Sequence, residues 1–198
     1  MKLSIENINI EINGNFSTDM SDEEFFHFCT ENRDVRIERD HNKQIYIKAP
    51  INAEGGKQNG IIMGELYNWN KINKLGICFD SSTGFTLLDK SVLSPDTSWM
   101  TLEKWNNIPQ NEKQKYSKTC PNFIIELKSQ SDNTTQLKNK MLKWIENGCQ
   151  LAWLIIPEKE ETHIYRADGS IEIVEGFHRK LSGENVLQGF ELDVALLK

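Results

Sequence analysis

A chain of 198 residues, 38% hydrophobic and 26% charged, is long enough to bury one core, short for two, and too apolar for a disordered chain. No apolar run approaches the roughly 20 residues that span a bilayer, and residues 1–15 lack a secretory h-region, so no membrane association is expected and the expected location is cytoplasmic. The formal net charge of −6 excludes a broadly electropositive surface, although residues 113–143 hold seven lysines against only Glu126 and Asp132.

The alternation Ile8, Ile10, Ile12 predicts a short peripheral strand within residues 1–20. Ser21-Asp22-Glu23-Glu24 is a capping box that opens a helix through Phe25, Phe26 and Phe28. Val35–Glu38 and Gln44–Ala49, on either side of the polar turn Asp40–Lys43, predict a β-hairpin. Pro50–Gly60, rich in Gly and Asn, reads as loop, with Asn59 either capping the next helix or standing as a loop amide. That helix, Ile61–Ile72, carries Ile62, Leu66 and Trp69 on one face.

Strand segments follow at Ile77–Phe79, Phe85–Leu88 and Asp96–Met100, with a small helix near Leu102–Trp105. Asp80-Ser81-Ser82-Thr83, a polar cluster after an apolar strand, either lines the site or makes an Asx turn, the turn being the favoured reading. Phe123–Leu127 is a short apolar run suited to a central strand. Leu137, Met141, Trp144 and Ile145 mark a helix that Gly148 ends, and Leu151–Ile156 is a further buried strand. Thr162–Arg166 and Ile171–Val174 form a hairpin across Asp168-Gly169, and the apolar tail Leu187–Leu197 docks on the core. These elements predict one α/β domain over residues 1–198 with a mixed central sheet. The cysteines, Cys29, Cys78, Cys120 and Cys149, are too dispersed for a zinc site and read as free thiols, and Trp144 and Trp153 read as core.

The chemistry concentrates in two places. Pro95-Asp96 opens a strand, and Glu126-Leu127-Lys128, the only acid-x-Lys triplet in the chain, ends one. In a β-strand the Glu126 and Lys128 side chains leave the same face. Charged groups on a buried strand are costly unless they are paired or bind something. Phosphodiester hydrolysis needs such a set: magnesium is held by one or two carboxylates and keeps several waters. Asp96 and Glu126 are the expected metal ligands, for Mg2+ or Mn2+. Lys128 is expected beside the attacking water, and Glu38, on the early hairpin, supplies a third acid.

The segments Asn122–Ser129, Ser131-Asp132, Gln136, Lys140, Ile145–Gly148 and Leu151–Pro157 resemble the Uma-two family of restriction-endonuclease-like proteins, within the PD-(D/E)xK nuclease superfamily. Arg36–Arg39, Phe79–Phe85, Ser94–Asp96, Leu181–Leu187, Gly189-Phe190 and Leu192 extend the resemblance from about Asp22 to Leu197. It implies a restriction-endonuclease-like fold, a mixed sheet flanked by helices with an N-terminal hairpin extension. It also implies an active set of Asp96, Glu126 and Lys128 with Glu38 upstream, and Gln136 and Lys140 reaching the site from the following helix. Implied partners are DNA as substrate and a second copy of the chain in a homodimer. Gln130 stands where many members have proline, and some relatives lack the lysine at the position of Lys128. The alternative reading is therefore a catalytically silent nuclease-like fold that binds nucleic acid or a protein partner.

Overall fold

The computed structural model describes residues 19–198, together with the backbone of an N-terminal hairpin, β1 (Lys2–Ile5) and β2 (Ile8–Glu11). The predicted alternation at Ile8 and Ile10 falls on β2, and Ile12 lies outside the described residues. Helix α1 (Asp22–Glu31) starts at the capping box as read: the Ser21 hydroxyl accepts from the Glu24 amide at 3.2 Å, and Glu24 Oε2 accepts from the Ser21 amide at 2.8 Å. It buries Phe25 and Phe28 against the hairpin β3 (Arg36–Arg39) and β4 (Ile45–Lys48). The hairpin turn is tied by Asp40, whose Oδ1 accepts from the amides of Asn42 and Gln44.

Helix α2 spans Ala53–Asn73 and so begins eight residues before the predicted Ile61. Each glycine in a helix interior costs about 1 kcal/mol relative to alanine, so Gly55, Gly56 and Gly60 argue locally for a loop. Tertiary contacts override them. The Asn52 side chain caps the helix by accepting from the Gly55 amide at 2.9 Å, and Gln58 donates to the Leu197 carbonyl at 2.6 Å. Ile51 closes over Gly55, where an added Cβ would lie 2.4 Å from Ile51 Cδ1. Asn59 is therefore inside the helix and is not its cap.

After β5 (Gly76–Phe79), the Asp80 turn forms as read, with Asp80 Oδ1 accepting from Ser82 and Thr83. The short strands β6 (Phe85–Thr86) and β7 (Val92–Leu93) join the hairpin in a small sheet of order β4-β3-β7-β6. Ser94-Pro95-Asp96 then carries the chain into the main sheet at β8 (Thr97–Thr101). Beyond the short helices α3 (Leu102–Asn107) and α4 (Gln110–Lys113) come β9 (Phe123–Leu127), α5 (Thr134–Glu146) and β10 (Leu151–Ile156). A further hairpin, β11 (Glu161–Arg166) and β12 (Ile171–Glu175), and a small pair, β13 (Lys180–Ser182) and β14 (Glu191–Asp193), complete the strands.

The main sheet has the order β12-β11-β10-β9-β8-β5, with β9 and β10 parallel and its other neighbours antiparallel. A parallel pair needs a crossover, and α5 provides it. Alternation in the two central strands divides the core. Phe123, Ile125, Trp153 and Ile155 pack with Ile62 and Leu66 of α2 and with the C-terminal tail. Ile124, Ala152, Leu154 and Ile156 pack with Met141 and Trp144 of α5. Trp144 and Trp153 are fully buried, as their positions in the sequence required, and all four cysteines are free. No helix among the described residues is long and apolar enough to cross a membrane.

Candidate active site

The position of Glu126 follows from the same alternation. It lies between Ile124 and the end of β9 on the α5 face, opposite Leu154 in register, and is 4% exposed. Asp96 reaches it from the neighbouring strand, because Thr97 pairs with Ile125 and Asp96 precedes that pair. Asp96 Oδ2 accepts from the Leu127 amide at 2.9 Å, which fixes the carboxylate at the strand end. Glu38 arrives from the small sheet, where its Oε1 accepts from the Ser94 amide at 3.0 Å, just before Pro95-Asp96. The two sheets are thus joined at the segment that carries the acids.

Lys140, one and a half turns into α5, connects the carboxylates. Its Nζ lies 2.9 Å from Glu38 Oε1 and 2.8 Å from Glu126 Oε1, and donates to the Ser94 carbonyl at 3.1 Å. At Glu126 the contact is an ion pair without hydrogen-bond alignment, so this buried oxygen keeps unused acceptor capacity. Burial pushes the Glu126 carboxyl up to about 7; Lys140 opposes the shift, while the neighbouring Asp96 and Glu38 charges add to it. Glu38 behaves oppositely. Burial disfavours its charge, but Lys140, Lys48 and the Ser94 amide outweigh that and hold its carboxyl below the usual value. Burial also disfavours the Lys140 ammonium, and the Glu126 and Glu38 carboxylates more than compensate, keeping it protonated.

These groups border a cleft of about 390 Å³ lined by Asp96, Glu126, Lys140 and Leu137, with the 129–132 loop on one side and Arg36, Lys48 and residues 49–52 on the other. Asp132 ties the loop by accepting from the amide and hydroxyl of Ser129. Arg36 Nη1 lies 3.4 Å from Asp96 Oδ1, and Nη2 donates to the Ser94 carbonyl.

Lys128 does not stand beside Glu126. β9 ends at Leu127, so strand alternation no longer sets the direction of the next side chain. The Lys128 ammonium lies 2.5 Å from Glu158 Oε1, donates to the Ser129 carbonyl at 2.9 Å, and lines a second, adjoining cleft that includes Asn52, Gly55 and Gln58. Gln136 is exposed and does not border the cleft; the loop segment 129–132 and Leu137 take that place. Arg36 and Lys48 were not singled out in the sequence, although period-two spacing puts Arg36 on the face of Glu38, and hairpin register pairs it with Lys48.

Among the described residues no three His, Cys, Asp or Glu side chains converge as a closed metal site would. The two expected donors, Asp96 and Glu126, both line the cleft. Two oxygen ligands, one of them buried with acceptor capacity to spare, fit magnesium or manganese, which retain several waters, and do not fit a structural zinc site.

The Uma2 family profile, described as "Putative restriction endonuclease", matches residues 22–195. Among solved structures, one titled as "a putative nuclease belonging to DUF820" from Anabaena variabilis superposes with a TM-score of 0.69 at 16% identity, over 81% of this chain and 88% of that one. At that identity the likeness concerns the fold. No curated protein matches the chain. With the family profile spanning nearly all of its length, the chain belongs to the Uma2 family of nucleases of the restriction-endonuclease type.

Proposed function

We propose that the protein is a metal-dependent endonuclease that hydrolyses phosphodiester bonds of DNA. The observation that carries this reading is Glu126: a carboxyl on the floor of a cleft, pushed up to about 7 by burial, next to Asp96 and Lys140. Strongly perturbed groups in a cleft are costly to stability and gather where chemistry needs them. Asp96 and Glu126 would hold Mg2+ or Mn2+, which supplies Lewis-acid neutralisation of the phosphoryl oxygens and an acidified water. The protein's own share is positional. The Leu127 amide and Arg36 orient Asp96, the Ser94 amide holds Glu38, and Lys140 bridges Glu38 and Glu126, favouring the charged form of each.

In this reading Lys128 stabilises the attacking hydroxide or the developing phosphorane charge, for which its ammonium must exchange Glu158 for the substrate. We expect Lys128→Ala to bind DNA yet nick supercoiled plasmid on the order of 10²–10³ more slowly, the scale of one transition-state electrostatic contact. The observed Lys128–Glu158 pair favours the second reading, a catalytically silent nuclease-like fold. Wild type that never nicks plasmid with magnesium or manganese, together with a Lys128→Ala variant of reduced melting temperature, would establish that reading instead. A homodimer is proposed on the need for one site per strand of a duplex, which two-fold symmetry meets directly. Sedimentation equilibrium should then show dimer at micromolar concentration, and monomer alone would remove it.

A further inference from the structure

Arg36 and Lys48 are direct cross-strand partners on the β3–β4 hairpin and together form one wall of the cleft, facing the acidic floor. They are not the remnant of a generally basic surface, since the chain carries a net charge of −6. Both lend charge to Glu38, Arg36 at 3.9 Å and Lys48 beyond hydrogen-bond range, while the hydrogen bonds to Glu38 come from the Ser94 amide and from Lys140 at 2.9 Å. Lys48 Nζ stands 3.6 Å from Glu38 Oε2, with its side chain 42% exposed. The buried Arg36 Nε has no hydrogen-bond partner. Across the cleft, Ser129 and Ser131 present hydroxyls 3.2 Å apart.

We infer that the Arg36–Lys48 wall is a phosphate-contacting subsite that seats the sugar-phosphate backbone of one DNA strand over Asp96 and Glu126. This rests on the nuclease reading of the same cleft and adds to it the surface that grips the substrate. A hairpin is well suited to the task. Its register holds two cations side by side, and Arg36 links the phosphate wall to Asp96, so substrate position and ligand position are set by one side chain. Contacts of this kind carry no sequence preference; they fix register along the strand.

The test is fluorescence anisotropy with a labelled DNA duplex, with calcium in place of magnesium to prevent cleavage, at several salt concentrations. Each phosphate contact contributes about 0.9 to the slope of log affinity against log salt. Lys48→Gln should weaken binding about fivefold at low salt and flatten the slope by about 1, equally for unrelated sequences. Lys48→Glu should weaken it further. Lys48→Gln should keep the wild-type melting temperature within a few degrees and the wild-type calorimetric response to manganese, whereas Lys48→Glu, which sets a second acid against Glu38, is read for DNA binding alone. A purely structural Lys48 would alter melting and leave the slope alone. If wild type binds duplex and both variants bind it with the same slope, the subsite is overturned while the nuclease reading stands. If wild type shows neither manganese binding nor salt-dependent DNA binding, the reading and the subsite fall together.

Discussion

Glu126→Gln should abolish DNA cleavage and at the same time make the metal-free protein more stable at alkaline pH. In the folded protein the Glu126 carboxyl titrates at about 7, against an ordinary 4.5. Between those values the folded state holds a proton that the unfolded state has lost. Stability from this group is therefore full below about pH 4.5 and declines as pH rises through about 7. A shift of that size corresponds to about 3 kcal/mol, to order of magnitude. Glutamine keeps the shape and never ionises. In chelator-treated protein it should melt with wild type near pH 4.5 and roughly 5–10 °C above it at pH 8, at about 2–4 °C per kcal/mol for a chain of this size. Its nicking activity should fall to background, because one of the two carboxylates proposed to hold the metal is gone. Removing a residue that damages stability but supports activity is the behaviour expected of an active-site group. A Glu126→Gln protein that melts below wild type at pH 8 would show the carboxylate to be a structural partner of Lys140.

Lys140→Ala should have the opposite effect on stability. The substitution leaves Glu38 and Glu126 buried without the ammonium they share. Breaking a buried ion pair from one side costs about 3–5 kcal/mol, because the remaining charge is uncompensated. We expect the melting temperature at pH 8 to fall by roughly 10 °C. In the double variant Lys140→Ala, Glu126→Gln the loss should shrink by more than the gain that Glu126→Gln shows alone, because only Glu38 is then left exposed to the penalty. That non-additivity is the measurable coupling between the two residues. A double variant whose change equals the sum of the two single changes would mean that the 2.8 Å contact between Lys140 and Glu126 carries no energy.

Which of these features the sequence disclosed depends on how local their causes are. Helix α1 was legible because its capping box is a four-residue signal, and β9 and β10 because a buried strand must be apolar throughout. Asp96 and Glu126 were legible because charge at the ends of such strands is costly without a purpose. The start of α2 was not legible, since what stabilises its glycine-rich first turns is contact with Ile51 and Leu197, the latter far away in the chain. The pairing of Lys128 with Glu158 was not legible for a similar reason. Glu158 lies in the turn after β10, and no periodicity extends from β9 through a residue beyond the strand end. Lys140 was suggested only by family resemblance, whereas Arg36 and Lys48 needed the hairpin register read together with the position of Glu38.

On the proposed function, Asp96 and Glu126 together hold a divalent metal. Isothermal titration of manganese into wild type, Asp96→Ala and Glu126→Ala tests it directly, with circular dichroism to verify that each variant is folded. We expect heat of binding at a single site in wild type and none in either folded variant, since each substitution removes one of the two carboxylates proposed to hold the metal. Wild type and both variants taking up manganese alike would contradict it.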